Sequence, residues 1–142
     1  MVKSIKTDEI LPIWELENEI FKTEAWSLKQ LKQHLEFNNR IFVKHSTNGD
    51  VEGYMVITEV LGEWEILRVA TSPKERRRGV ARELLNYLFR TINPKDTIFL
   101  EVRSDNLAAL SLYESIRFCR VATRKGYYQD GVDAICMRRD VT

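Results

Sequence analysis

The sequence predicts a single α/β domain built on one mixed sheet, and three observations carry that prediction. β-branched and aromatic runs separated by turn signals fill the first half of the chain. Two stretches with apolar residues at helical spacing then alternate with strand-like runs. A last pair of strand candidates, joined by a polar loop, closes the chain. A meander, then strand-helix-strand-helix, then a hairpin requires both antiparallel and parallel pairs in the sheet.

In chain order, Val2 to Thr7 reads as a short strand. Thr7-Asp8 can cap a helix whose apolar positions Ile10, Leu11, Trp14, Ile20 and Phe21 follow helical periodicity, with Pro12 in its first turn. Ser27-Leu28-Lys29-Gln30 is a capping box opening a second helix through about Leu35. Arg40 to His45 and Val51 to Val60 form a hairpin, with Asn48-Gly49 supplying positive backbone angles at its tip. Gly62-Glu63 turns the chain into the strand Trp64 to Ala70, which Thr71-Ser72-Pro73 ends. Val80, Leu84, Leu85, Leu88 and Phe89 mark the apolar face of the next helix, which stops at Asn93-Pro94. Thr97 to Val102 is a strand and Asn106 to Ser115 a helix. Phe118 to Thr123 and Val132 to Arg138 are the closing strands, linked through Tyr127-Tyr128-Gln129-Asp130-Gly131.

A chain of 142 residues suffices for one core. Its formal charge of +1 gives it no general polyanion-binding character, so the run Arg76-Arg77-Arg78 is a local feature. No apolar stretch approaches a membrane span, and the first residues lack the apolar core of a secretory signal, so a cytoplasmic protein without membrane partners is expected. Cys119 and Cys136 lie in apolar-rich strand candidates without CxxC spacing and read as buried free thiols. His34 and His45 have no metal-ligand spacing, and no metal site is expected.

Arg76-Arg77-Arg78-Gly79-Val80-Ala81 sits where a strand gives way to a helix. A helix N-terminus carries unpaired N–H groups and a partial positive charge, and glycine lets a phosphate approach the backbone. Arginines add forked donors for phosphate oxygens. A solvated face or a nucleic-acid patch is the alternative reading of the arginines. Further on, Glu101 near the end of a strand, Asn106 at the start of the next helix and Tyr113 two turns later can converge where open α/β sheets bind ligands. Taken singly, Glu101 can pair with an arginine, Asn106 can cap its helix and Tyr113 can fill the core.

Together these residues resemble the GNAT superfamily of acetyl-CoA-dependent N-acetyltransferases. Arg76, Gly79 and Ala81 match its Q/R-x-x-G-x-G/A loop. Leu100-Glu101-Val102-Arg103, Asn106, Leu112-Tyr113-Glu114-Ser115, Tyr127-Tyr128 and the Asp130-Gly131-x-Asp133-Ala134 tail are similar to the bacterial ribosomal-protein-alanine N-acetyltransferases. Three positions depart from that pattern. Arg117 stands where glycine is usual, which strains any turn needing a positive φ by about 1 kcal/mol. Arg68 replaces a frequent asparagine, and Ala25 a frequent proline.

The resemblance implies a mostly antiparallel sheet whose one parallel pair splays to hold acetyl-CoA as cosubstrate. It implies pantetheine along Val69, Ala70 and Thr71, with diphosphate on N–H groups among Arg77, Arg78, Gly79, Val80, Ala81 and Arg82. Asn106 would touch the cofactor. Glu101 would act as base, directly or through water, and Tyr113 as the acid for the departing thiolate. Trp26, Arg68, Tyr127 and Tyr128 would line the acceptor, a protein N-terminus of ribosomal type, with no direct nucleic-acid partner. The same chemistry on a small-molecule amine or a lysine, and a non-catalytic acyl-CoA-binding domain, are the competing functions.

Overall fold

A computed structural model describes residues 1–37 and 39–140 of the chain. Seven strands form one open sheet: β1 (Val2–Ser4), β2 (Arg40–His45), β3 (Val51–Val60), β4 (Glu63–Thr71), β5 (Thr97–Arg103), β6 (Cys119–Arg124) and β7 (Ala134–Asp140). Their order is β1-β2-β3-β4-β5-β7-β6. The four α-helices are α1 (Ile10–Phe21), α2 (Leu28–Glu36), α3 (Val80–Thr91) and α4 (Leu107–Ser115). β4 and β5 are parallel, in register from Glu63 opposite Thr97 to Ile66 opposite Leu100, while β4 itself continues to Thr71 and β5 to Arg103. The remaining recorded pairs, β1 with β2, β2 with β3, β5 with β7 and β6 with β7, are antiparallel. β7 inserts beside β5 and leaves β6 at the edge.

The chain packs as two compact units. One comprises Met1–Thr58 with Arg68–Ile92. In it β3 is buried without interruption from Gly53 to Ile57, as a strand covered on both faces must be. Phe42, Tyr54, Met55, Leu31, Leu84 and Leu88 form its core. The other unit comprises Glu59–Leu67 and the chain from Asn93 on. There β5 alternates between buried and half-buried residues, and Ile98, Leu100, Leu110, Phe118 and Met137 are buried. Burying an aliphatic side chain of this kind contributes roughly 1.5–3 kcal/mol.

Several sequence expectations are corrected. The first strand stops at Ser4, and Thr7–Glu9 is a 3-10 turn. Neither Thr7 nor Asp8 caps α1, whose N-cap is Glu9 without a side-chain bond. Leu11 points outward, half exposed, because Ile10, Ile13 and Leu16 form the buried stripe. At the hairpin tip only Gly49 has positive φ, since the loop runs from Ser46 to Asp50 and is closed by backbone bonds at 2.9 and 3.0 Å. The turn before β4 is Leu61-Gly62, both with positive φ, and Glu63 already belongs to the strand. The last two strands begin one and two residues later than predicted, at Cys119 and Ala134. Cys119 is exposed because every residue of β6 is; Cys136 is half-buried, and both thiols are free.

The capping box of α2 forms as read, with Ser27 Oγ accepting from the Gln30 N–H and Gln30 Oε1 from the Ser27 N–H. Arg117 has φ +79°, so the turn after α4 does need the left-handed conformation and arginine bears its strain. No helix among the described residues is long and apolar enough to cross a membrane.

Candidate functional site

In the first unit, β4 delivers Arg68, Val69, Ala70 and Thr71, then the chain turns through Pro73–Glu75 into the arginine run. Arg77 at φ +68° and Gly79 at φ +79° both take left-handed backbone, which folds the loop onto the start of α3. No side chain caps α3, leaving the first-turn N–H groups around Val80, Ala81 and Arg82 free of side-chain acceptors. A Cβ built on Gly79 would meet nothing within 4 Å, so the glycine faces open space. Arg76, Arg77, Arg78 and Arg82 are exposed around it, with Arg78 Nη1 3.2 Å from Glu75. These groups fit a diphosphate by charge and by donor geometry.

Gly53 fixes the position of this segment from below. A Cβ there would lie 2.6 Å from Val80 Cγ1 and 2.7 Å from the Ala70 carbonyl oxygen. Only glycine lets β3 approach both the end of β4 and the start of α3 this closely.

Trp26 and Arg68 are brought together. The Arg68 guanidinium lies 3.7 Å from the Phe21 ring centroid and 5.9 Å from that of Trp26. Its Nη2 donates to Glu17 Oε2 at 2.7 Å and to the Glu24 carbonyl at 2.9 Å. Glu17, fully buried, also accepts the Trp26 N–H at 2.8 Å and the Tyr54 hydroxyl. Burial first, and then the adjacent Glu17 carboxylate, raises the Tyr54 pKa. Arg68 Nε is buried with no hydrogen-bond partner.

In the second unit, Glu101 points from β5, 22 % exposed, with Oε2 3.1 Å from Arg124 Nε and 3.5 Å from Cys136 Sγ. Burial, followed by this carboxylate, pushes the Cys136 thiol up. Asn106 is the N-cap of α4; its Oδ1 accepts the Ala109 N–H at 3.1 Å, so capping occupies the oxygen and leaves the amide donors. Tyr113 is 8 % exposed, its ring edge-on to Phe118 at 5.4 Å, and burial pushes its phenol up to about 12. Tyr127 and Tyr128 are brought together edge-on at 5.2 Å on the loop before β7. Arg124 lies over the Tyr127 ring and Arg103 over that of Tyr128, while Arg103 also pairs with Asp105 and Asp130.

Sequence reasoning missed Glu17, Tyr54 and Arg124. Glu17 had a readable signal: it lies seven residues after Ile10 and four after Ile13, on the buried stripe of α1. A carboxylate on such a stripe must find partners. Tyr54 and Arg124 offered none, since their partners come from other elements.

Against known proteins, the chain matches the acetyltransferase (GNAT) family over residues 7–118. It is 35% identical over 133 residues to the N-alpha-acetyltransferase RimI of Mycobacterium tuberculosis, covering 89% of this chain and 83% of that one. The ribosomal protein bS18-alanine N-acetyltransferase of Escherichia coli K12 is 28% identical over 145 residues, covering 96% and 94% respectively. The crystal structure of the ribosomal-protein-S18-alanine N-acetyltransferase from Escherichia coli superposes with a TM-score of 0.88 at 29% identity, covering 100% of this chain and 94% of that chain. The strand order with its one recorded parallel pair, the uncapped glycine turn before α3 and this similarity agree: the chain belongs to the GNAT acetyltransferase family and is an acetyl-transferring enzyme.

Proposed function

We propose that the enzyme acetylates the N-terminal α-amine of a protein, with alanine as the first residue and a ribosomal protein as the acceptor, in the cytoplasm. The observation that carries this reading is the similarity along nearly the whole of both chains to an alanine N-acetyltransferase of that name. The Tyr127-Tyr128 loop, braced by Arg103 and Arg124, supports it by offering aromatic surface to a peptide. Trp26 and Arg68 are the acceptor-lining candidates of the first unit.

Acetyl-CoA supplies an acetyl thioester. Val69, Ala70 and Thr71 offer backbone hydrogen bonds to its pantetheine, with the Val69 N–H polarising the acetyl carbonyl. Arg77, Arg78, Gly79, Val80, Ala81 and Arg82 receive the diphosphate, and Asn106 uses its amide donors toward the cofactor. Attack by the amine requires its neutral form. For an α-amine of pKa about 7.7–8.0 deprotonation at pH 7 costs about 1 kcal/mol, against about 4–5 for lysine at about 10.4. A carboxylate therefore suffices, and Glu101 takes this role, directly or through water. Tyr113, held protonated by burial, donates to the sulfur as the carbon–sulfur bond breaks.

The test is acetyl transfer to peptides with free alanine or serine termini, beside the same peptides blocked at the terminus but containing lysine, and beside polyamines. Free termini are expected to be acetylated and blocked peptides not. Equal turnover of blocked lysine peptides or polyamines would replace this reading with acetylation of side-chain or small-molecule amines.

A further inference from the structure

The register of the last three strands sets three side chains in a row on one face of the sheet. Glu101 of β5 lies directly opposite Cys136 of β7, and Cys136 lies opposite Ala122 of β6. Residues two apart in a strand share a face, so Arg124 stands on that face beside Ala122. Both polar groups then meet one oxygen of the carboxylate: Arg124 Nε is 3.1 Å and Cys136 Sγ 3.5 Å from Glu101 Oε2. No described residue makes a hydrogen bond to Oε1. Other arginines of this unit behave differently. Arg103 forks onto both oxygens of Asp105 and of Asp130, and Arg120 onto both oxygens of Glu114. Arg124 makes no such fork with Glu101, and one oxygen stays open.

We propose that Arg124 and Cys136 are positioning residues for Glu101: by holding Oε2 from two strands they present Oε1 to the acceptor amine, whose proton it takes directly or through water. This inference rests on the reading of Glu101 as the base. A lone surface ion pair would hold a side chain only weakly. Arg124 is braced on a second side, because its guanidinium lies 5.3 Å from the Tyr127 ring centroid. Cys136 adds a donor from the neighbouring strand, and burial, followed by the carboxylate itself, keeps it a thiol that donates to Oε2. Two contacts at one oxygen leave the carboxylate little freedom to turn. A base held in this way meets its proton in a fixed direction, which is where positioning contributes to rate. The strand order is what allows it, since β7 lies between β5 and β6 and brings both groups within reach of Glu101.

The experiment measures kcat and KM on a free-terminus alanine peptide, and acetyl-CoA affinity by calorimetry, for wild type, Glu101→Gln, Arg124→Gln, Arg124→Lys, Cys136→Ala and Cys136→Ser. Glu101→Gln is also combined with Arg124→Gln and with Cys136→Ala. A general base supplies about 10²–10⁴-fold, of which misplacement forfeits a part, so Arg124→Gln is expected to lower kcat about tenfold and Cys136→Ala about threefold. Acetyl-CoA affinity should not change. Lysine reaches one bond beyond the Nε position and serine keeps a donor, so Arg124→Lys and Cys136→Ser should recover most of each loss. In the Glu101→Gln background neither further substitution should lower kcat, because the group being positioned is gone. If Cys136→Ala does not fold, judged by circular dichroism, Arg124→Gln and its combination with Glu101→Gln decide. Wild-type kcat in Arg124→Gln and Cys136→Ala, or losses that persist undiminished beside Glu101→Gln, overturns the proposal and leaves Glu101 its role. Wild-type kcat in Glu101→Gln itself defeats the reading of Glu101 as the base.

Discussion

Gly53→Ala adds a single methyl group at the point where the proposed cofactor segment is supported from beneath. The new Cβ would sit 2.6 Å from Val80 Cγ1 and 2.7 Å from the Ala70 carbonyl oxygen, against a normal contact above 3.4 Å. Val80 can rotate a methyl away, but the Ala70 oxygen is backbone within β4, so the strand must shift. Overpacking of this kind costs about 1–3 kcal/mol. With a backbone atom involved we take the upper part, about 2–3. Replacing a strand-interior glycine returns about 0.5–1 kcal/mol of chain entropy, for a net loss of about 1–2.5 kcal/mol. At roughly 4 °C per kcal/mol for a chain of this length, Tm should fall by about 4–10 °C. Because the displaced atoms belong to Ala70 and Val80, acetyl-CoA affinity should weaken as well. Gly49→Ala is the control: it meets nothing within 4 Å and costs only the strain of its φ of +88°, so it should lower Tm without touching acetyl-CoA binding. Thermal denaturation and calorimetry on both variants decide the matter. Gly53→Ala with wild-type Tm and affinity would refute the close approach, and matched affinity losses in both variants would refute its local action.

Tyr113→Phe should lower kcat by about 10²–10⁴-fold with little change in acetyl-CoA affinity, and near-normal turnover would make the residue structural. Since burial pushes this phenol up to about 12, the rate on a peptide acceptor should climb through about pH 7–8 as the α-amine deprotonates and show no descending limb up to about pH 10; a fall near pH 9 would contradict it. His34 lies in α2 with Nε2 between the Arg40 and Ile57 carbonyls at 3.1 and 2.9 Å, and burial lowers its pKa. Below about pH 6.5 the unfolded chain therefore binds the extra proton more readily, so stability is full above that pH and declines as pH falls. His34→Gln should lose most of the difference in denaturant midpoint between pH 7.5 and 5.5, the remainder coming from His45, whose pKa burial also lowers; an unchanged difference would show that other groups titrate.

What was legible in the sequence was what local chemistry decides. The capping box at Ser27, the apolar stripe of α3, the strand from Val51 to Val60 and the glycine turn into a helix all depend on neighbours within a few residues. The roles of candidate base and acid came from the family resemblance, while the placing of Glu101 and Tyr113 on one strand and the helix that follows it was local and readable. Contacts made across the fold were not legible. Arg68 meets Glu17 across 51 residues of chain and Tyr54 meets it across 37, and no periodicity encodes such a meeting. Exposure failed likewise for Cys119: its apolar neighbours suggest a core strand, but β7 takes the place beside β5 and leaves β6 outside.

That outer position of β6 bears on how the edge of the sheet is protected. A strand at the end of a sheet presents a row of unused N–H and C=O groups that can recruit another chain. At the opposite end β1 limits this risk by having only three residues. β6 is twice as long and fully exposed, and it relies on two other devices: an irregularity in its register between Arg120 and Ala122, and the charged side chains of Arg120 and Arg124. A bulge misaligns a would-be partner strand, and like charges repel one approaching in the same register. Arg124 is thus tied to Glu101 and also guards a sheet edge, so a change made there to alter the proposed base would also alter how well that edge is protected.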